Sequence, residues 1–169
     1  MKARTLDNHL SREEKIAKLA QVYHDLLAAV GPLLKDEVFR RGIREGLNKF
    51  LSNAWLSMNG GKHHTDYYSP AAGNAVRTSD KETRLVYEHM VPKNLFQSMF
   101  VQAAQEGTIH SAAEIRETLN ACWYIALITA SEEKKLLKNR MPEGWDGKNI
   151  FSRYEEAGLE LIATAEPKQ

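Results

Sequence analysis

The sequence predicts an α+β fold, mostly helical, on three observations. Apolar residues recur at spacings of three and four from Ile16 to Trp55, the mark of amphipathic helices. Two short runs, RLVYEHM and CWYIALIT, are apolar and β-favouring. Capping-box spacing occurs twice, at Ser11-Arg12-Glu13-Glu14 and at Ser111-Ala112-Ala113-Glu114. At 169 residues the chain is expected to form one domain, 1–169, with a real core.

Ser11 opens a helix whose stripe is Ile16, Leu19, Ala20, Tyr23, Leu26, Leu27 and Val30. Gly31-Pro32 ends it, glycine as C-cap and proline as the start of the next helix. That second helix runs from about Leu33 to Leu56, with Phe39, Ile43, Leu47, Phe50, Leu51 and Trp55 on its apolar side. Gly42 and Gly46 either permit close helix packing or are merely tolerated. Residues 1–56 therefore read as a helical hairpin. Residues 57–83 lose all periodicity and read as a long, ligand-facing loop.

A strand follows at about Arg84 to Met90, ended by Pro92. LFQSMFVQAAQEG is a helix closed by Gly107, and Ser111 starts another that runs to about Asn120. CWYIALIT, 122–129, is the strongest strand, with Cys122 a buried small hydrophobe. Ser131 caps a charged helix, EEKKLLKNR; MPEGWDGKN is a turn-rich loop, FSRYEEAG a short helix and LELIA a final strand. Residues 163–169 form a tail.

No run approaches the roughly 18 apolar residues of a membrane span. The N-terminus MKARTLDNHLSREEK has no apolar signal core, so a cytoplasmic protein with no membrane partner is expected. A single cysteine excludes an intrachain disulfide and a multi-cysteine zinc site. The net charge of +1 means that any nucleic-acid contact must use a local basic face. Arg40, Arg41 and Arg44 form one such cluster and Lys134, Lys135, Lys138 and Arg140 another, each read first as a solvated helix face. There is no P-loop spacing and no G-x-S-x-G elbow.

The segment that carries chemistry is Glu88-His89-Met90-Val91-Pro92, a carboxylate beside an imidazole at a strand end. It is followed by the strand Ile125–Thr129, a turn and a charged helix, then by Arg140-Met141-Pro142, Trp145, Arg153-Tyr154 and Gly158. This order resembles the HNH, or ββα-metal, endonucleases. The likeness covers residues 84 to about 160, so 84–162 is expected as an HNH-like ββα region with two helices inserted between its strands.

The resemblance implies a metal-dependent endonuclease that hydrolyses phosphodiesters in nucleic acid, above all double-stranded DNA, with Mg²⁺ or Mn²⁺ as cofactor. Glu88 would be a metal ligand and His89 the general base, since histidine takes a proton near neutral pH. Glu133 stands where the family carries asparagine or histidine, with Glu132 and Lys134 one residue to either side. Arg84, or Lys134 and Lys135, would steady the phosphate, although Arg84 equally suits a salt bridge with Glu82 or Asp80. Lys62 and His63, with Tyr67 and Tyr68, would contact phosphates or stack on bases. His63-His64-x-Asp66 is either a metal site or a set of bystanders. A homodimer would suit cleavage of both strands, because each copy carries one candidate site. The competing expectation is an HNH-derived protein that has lost catalysis and acts as a binding, inhibitory, immunity or anti-defence factor. Successive strand residues face opposite ways, so Glu88 and His89 meet at one ion only if the strand bends.

Overall fold

The structure, a computed structural model, describes residues 10–61 and 64–164. It is α+β, as expected. In chain order the elements are α1 (Arg12–Val30), α2 (Glu37–Met58), β1 (Tyr67–Tyr68), α3 (Pro70–Thr78), β2 (Leu85–His89), α4 (Lys93–Glu106), α5 (Ala112–Cys122), β3 (Ile125–Thr129), α6 (Ala130–Glu133), α7 (Ser152–Glu156) and β4 (Ile162–Ala163). They fall into two compact units, one built from α1, α2, α4 and α5, the other from the strands with α3, α6 and α7. No helix among the described residues is long and apolar enough to cross a membrane.

In the helical unit, the Ser11 hydroxyl accepts from the Glu14 N–H at 3.2 Å, and the Glu14 carboxylate accepts from the Ser11 N–H at 2.7 Å. This is the expected capping box, and it starts α1. Pro32 does not open the long second helix. It sits in a 3-10 turn over Gly31–Lys35, and α2 starts only after Asp36, whose carboxylate accepts from the Val38 N–H at 2.8 Å. Lys15 Nζ donates to Asn59 Oδ1 at 2.8 Å, tying the start of α1 to the end of α2.

The hairpin's stripe is not closed by the hairpin alone. Ile16, Leu19, Tyr23 and Leu27 of α1 and Leu47, Leu51 and Trp55 of α2 are buried together with Phe96, Phe100 and Val101 of α4. Tyr23 stacks with Phe50 at 6.2 Å and meets Phe100 edge-on at 6.3 Å. Phe39, assigned to the same stripe by its spacing, is 55% exposed. The first of the two helices that look like insertions between strands thus supplies a wall of the helical core.

The structure decides between the two readings of Gly42 and Gly46, and it adds a reason for Gly31 beyond its capping role. A Cβ at Gly42 or Gly46 would meet nothing within 4 Å, so their spacing serves no close helix contact among the described residues. Gly31 caps α1 in a right-handed conformation, φ −48°, and is needed for a different reason: a Cβ there would lie 2.9 Å from the Ala104 carbonyl oxygen. Gly31→Ala is expected to destabilise the protein by about 1–3 kcal/mol through overpacking. Urea unfolding measures this, and an unchanged midpoint would show that α4 yields freely.

The second unit is a four-stranded sheet in the order β2-β3-β1-β4. β3 is buried at every position, which explains its continuous apolar run. It pairs antiparallel with β2 and parallel with β1. Met90, Ala126, Ile128, Leu136 and Tyr154 form a core cluster in this unit. The stretch 57–83, expected as one loop, contains β1 and α3. Ser69 accepts from the Ala72 N–H at 3.1 Å and Pro70 lies in the first turn, so a complete helix start was present. The charged helix behind β3 is also shorter than expected: Thr129, not Ser131, caps it, and it ends at Glu133. Cys122 closes α5 instead of opening a strand.

Candidate functional site

β2 pairs one-to-one with β3, from Leu85 opposite Thr129 to His89 opposite Ile125, with no bulge in the ladder. Alternation therefore sends Glu88 and His89 to opposite faces. Glu88 lies opposite Ala126, on the face of the core cluster. His89 turns the other way, its ring 4.7 Å from that of Trp123. Pro92 comes too late to bend the strand, because the Met90 N–H still donates to the Tyr124 carbonyl at 2.9 Å.

On its own face Glu88 opens into a cleft of about 190 Å³, lined by Glu88, Glu133, Leu136, Lys138, Asn139 and Arg153. The two carboxylates named as metal ligands thus converge, Glu88 from β2 and Glu133 from the end of α6. Glu133 faces the cleft, whereas Glu132 is engaged elsewhere through one carboxylate oxygen. Its Oε2 accepts from Ser69 Oγ at 2.7 Å, from the Thr129 N–H at 2.8 Å and from Thr129 Oγ1 at 2.9 Å. This capping box joins the start of α3 to the start of α6. Glu132→Ala is expected to cost about 0.5–2 kcal/mol in thermal or urea unfolding. A neutral result would mean that α6 holds without its cap.

Arg153, on α7, is 2% exposed. Its NH2 lies 3.0 Å from Glu88 Oε1 and donates to the Leu137 carbonyl at 2.6 Å. Its NH1 donates to the His89 carbonyl at 3.0 Å. One buried guanidinium therefore clamps the end of β2, the turn after α6 and the Glu88 carboxylate. A charge this deep requires an anion beside it. Next along α7, Tyr154 is buried, and burial raises its hydroxyl's pKa, with the Glu88 charge raising it further and Arg153 opposing. It stays protonated, with no hydrogen-bond partner among the described residues. Asn139 adopts φ 56°, a left-handed conformation that asparagine tolerates better than most residues.

The other expected site residues stand apart from this cleft. Arg84 is exposed, and four residues of strand, about 14 Å, separate it from Glu88. Lys134 and Lys135 are exposed and do not line the cleft. Lys62 and His63 lie outside the described residues. Asp66 is occupied with the sheet: its Oδ2 accepts from the Ile125 N–H at 2.8 Å. Tyr67 packs edge-on against Phe151 at 5.0 Å, and Tyr68 fills the space a Cβ on Gly73 would need. Sequence reading did not assign Arg153, Lys138 or Asn139 to a site. By sequence Lys138 belongs to a solvated face, and Arg153-Tyr154 counts only for its place in the order of motifs.

Among the described residues no three His, Cys, Asp or Glu side chains cluster as a metal site. Two carboxylates nevertheless match what Mg²⁺ or Mn²⁺ commonly takes from a protein, the remaining positions being filled by water and substrate oxygens. Two carboxylates with two cations in one cleft can hold a divalent ion and an anion together. Comparison with protein-family models, curated proteins and solved structures finds no match to the chain.

Proposed function

We propose that the protein is a metal-dependent endonuclease with an HNH-like ββα element, acting on phosphodiester bonds in DNA. The observation that carries this is the convergence of Glu88 and Glu133 in one cleft that also holds Arg153 and Lys138. The antiparallel pairing of β2 with β3 and the position of α6 directly behind β3 support it further.

Glu88 and Glu133 hold Mg²⁺ or Mn²⁺. Such an ion, when bound, supplies Lewis-acid charge at the phosphate and lowers the pKa of water. Lys138, exposed at the rim, draws in and neutralises the backbone phosphate, and Arg153, 3.0 Å from Glu88 Oε1, orients that carboxylate. His89 takes the base role only if the end of β2 turns out of register with Ile125. In the observed ladder its carbonyl accepts from Arg153, and its ring lies beside Trp123, away from the cleft.

That orientation of His89 favours a second reading, an HNH-like factor that binds nucleic acid or a partner nuclease without cutting. The deciding experiment incubates the purified protein with supercoiled plasmid in Mg²⁺, in Mn²⁺ and in EDTA. Nicking in either ion and none in EDTA is the expected result. Intact plasmid under all three conditions, from protein that still binds Mn²⁺, assigns the cleft to binding alone.

A further inference from the structure

The proposal concerns how this cleft accepts its ion, and it rests on the metal assignment above. Glu88 and Glu133 are balanced by Lys138 and Arg153, so the cleft is neutral before any ligand enters. Surface cations can swing away when a metal arrives. Arg153 cannot: it is 2% exposed, and its guanidinium is bound to the carbonyls of His89 and Leu137 as well as to Glu88. A divalent ion bound by Glu88 therefore comes to rest near a guanidinium that stays in place, and at 2% exposure that guanidinium is screened less than a surface charge would be. Two positive charges are then left in excess, and a nucleic-acid backbone carries one negative charge on each phosphate.

We propose that Arg153 is a fixed counter-ion that makes divalent-ion binding in this cleft depend on a phosphodiester anion. Metal and nucleic-acid backbone bind as a pair, each raising the other's affinity by the same factor. Free metal alone leaves the cleft largely unloaded, so the site is armed by its substrate.

The test is Mn²⁺ titration of the full-length protein, followed by the paramagnetic resonance of free Mn²⁺. It is run with a phosphorothioate DNA duplex and with the methylphosphonate duplex of the same sequence, which has no backbone charge. Bound Mn²⁺ is counted as the part lost in Glu133→Gln. The affinity is expected to be about tenfold or more higher with the charged duplex, within the usual range of coupling between sites. In Lys138→Gln, an exposed substitution that leaves the fold alone, the ratio is expected to persist, because a surface cation already swings aside. In Arg153→Gln it approaches one. Equal affinity with both duplexes in the wild type overturns the proposal while leaving the metal assignment standing. A large ratio that survives in Arg153→Gln, or one that Lys138→Gln abolishes, overturns the role of Arg153. Mn²⁺ binding that Glu133→Gln does not reduce overturns the metal assignment itself.

Discussion

Glu133→Gln is expected to lower metal-dependent nicking at least about 100-fold, because the ion's charge at the phosphate is worth several kcal/mol. Glutamine keeps the size of the side chain and one carbonyl oxygen but removes the charge that attracts a hard cation. The fold has no stake in this carboxylate. The cap of α6 is made by Glu132, and the core behind it by Leu136. Stability without metal should therefore change by less than about 0.5 kcal/mol, as for an ordinary surface substitution. The stabilisation that Mn²⁺ confers on the wild type in the presence of an uncleavable phosphorothioate duplex should disappear, since an ion stabilises only a state it binds. Thermal unfolding with and without Mn²⁺, run beside the plasmid assay, separates the two effects. A variant that cuts like the wild type would move the ion away from this cleft.

Arg153→Met has the largest expected effect on stability, a loss of about 3–5 kcal/mol, typical of a buried ion pair broken from one side. The guanidinium makes hydrogen bonds to the carbonyls of His89 and Leu137 and pairs with Glu88 at 3.0 Å. Methionine fills part of the volume and offers none of these donors. The carbonyls lose their partner, and Glu88, three-quarters buried, loses its counter-charge. Glu88→Gln should also be severe, for the converse reason that it strands a cation at 2% exposure. The double variant Glu88→Gln/Arg153→Met should lose less than the two single losses together, by about 0.5–3 kcal/mol of coupling. Urea unfolding of the four proteins measures the cycle, and strict additivity would show that the 3.0 Å contact carries no net interaction.

Much of the fold was legible because its signals are local. The Ser11 and Ser111 caps, the stripe of α1, the β-favouring runs and the short helix at FSRYEE need only neighbours in sequence. Ser69-Pro70 carried an equally local signal, but a glycine and serine background around it suggested a loop. Two features rest on tertiary causes that the sequence does not carry. Gly31 suits a cap by its residue type, whereas its conformation is ordinary and the requirement comes from Ala104, 73 positions away. The apolar face of α2 was drawn by period, and Phe39 falls outside because burial begins lower on the helix, at Leu47.

The site divides in the same way. Glu88 and Glu133 were reachable from the sequence because the order of motifs marks them. His89 and Glu88 were separated by strand parity, a rule that sequence alone supplies, and no bend came to reunite them. Arg153 was not reachable. A buried arginine has no periodic signature, and only the fold reveals that three segments meet at its guanidinium.

The interruption of the sheet by α4 and α5 bears on how the chain can be divided. Glu88 lies before those helices and Glu133 after them, and the connection between α4 and α5 runs through Gly107, Thr108, Ile109 and His110. A cut at Thr108 would give two fragments, each with one strand of the β2–β3 pair and one carboxylate of the cleft. Neither half would hold the ion by itself. Fused to a pair of interacting proteins, the halves would form a complementation reporter whose signal, the return of the duplex-dependent Mn²⁺ binding proposed above, appears only when β2 finds β3.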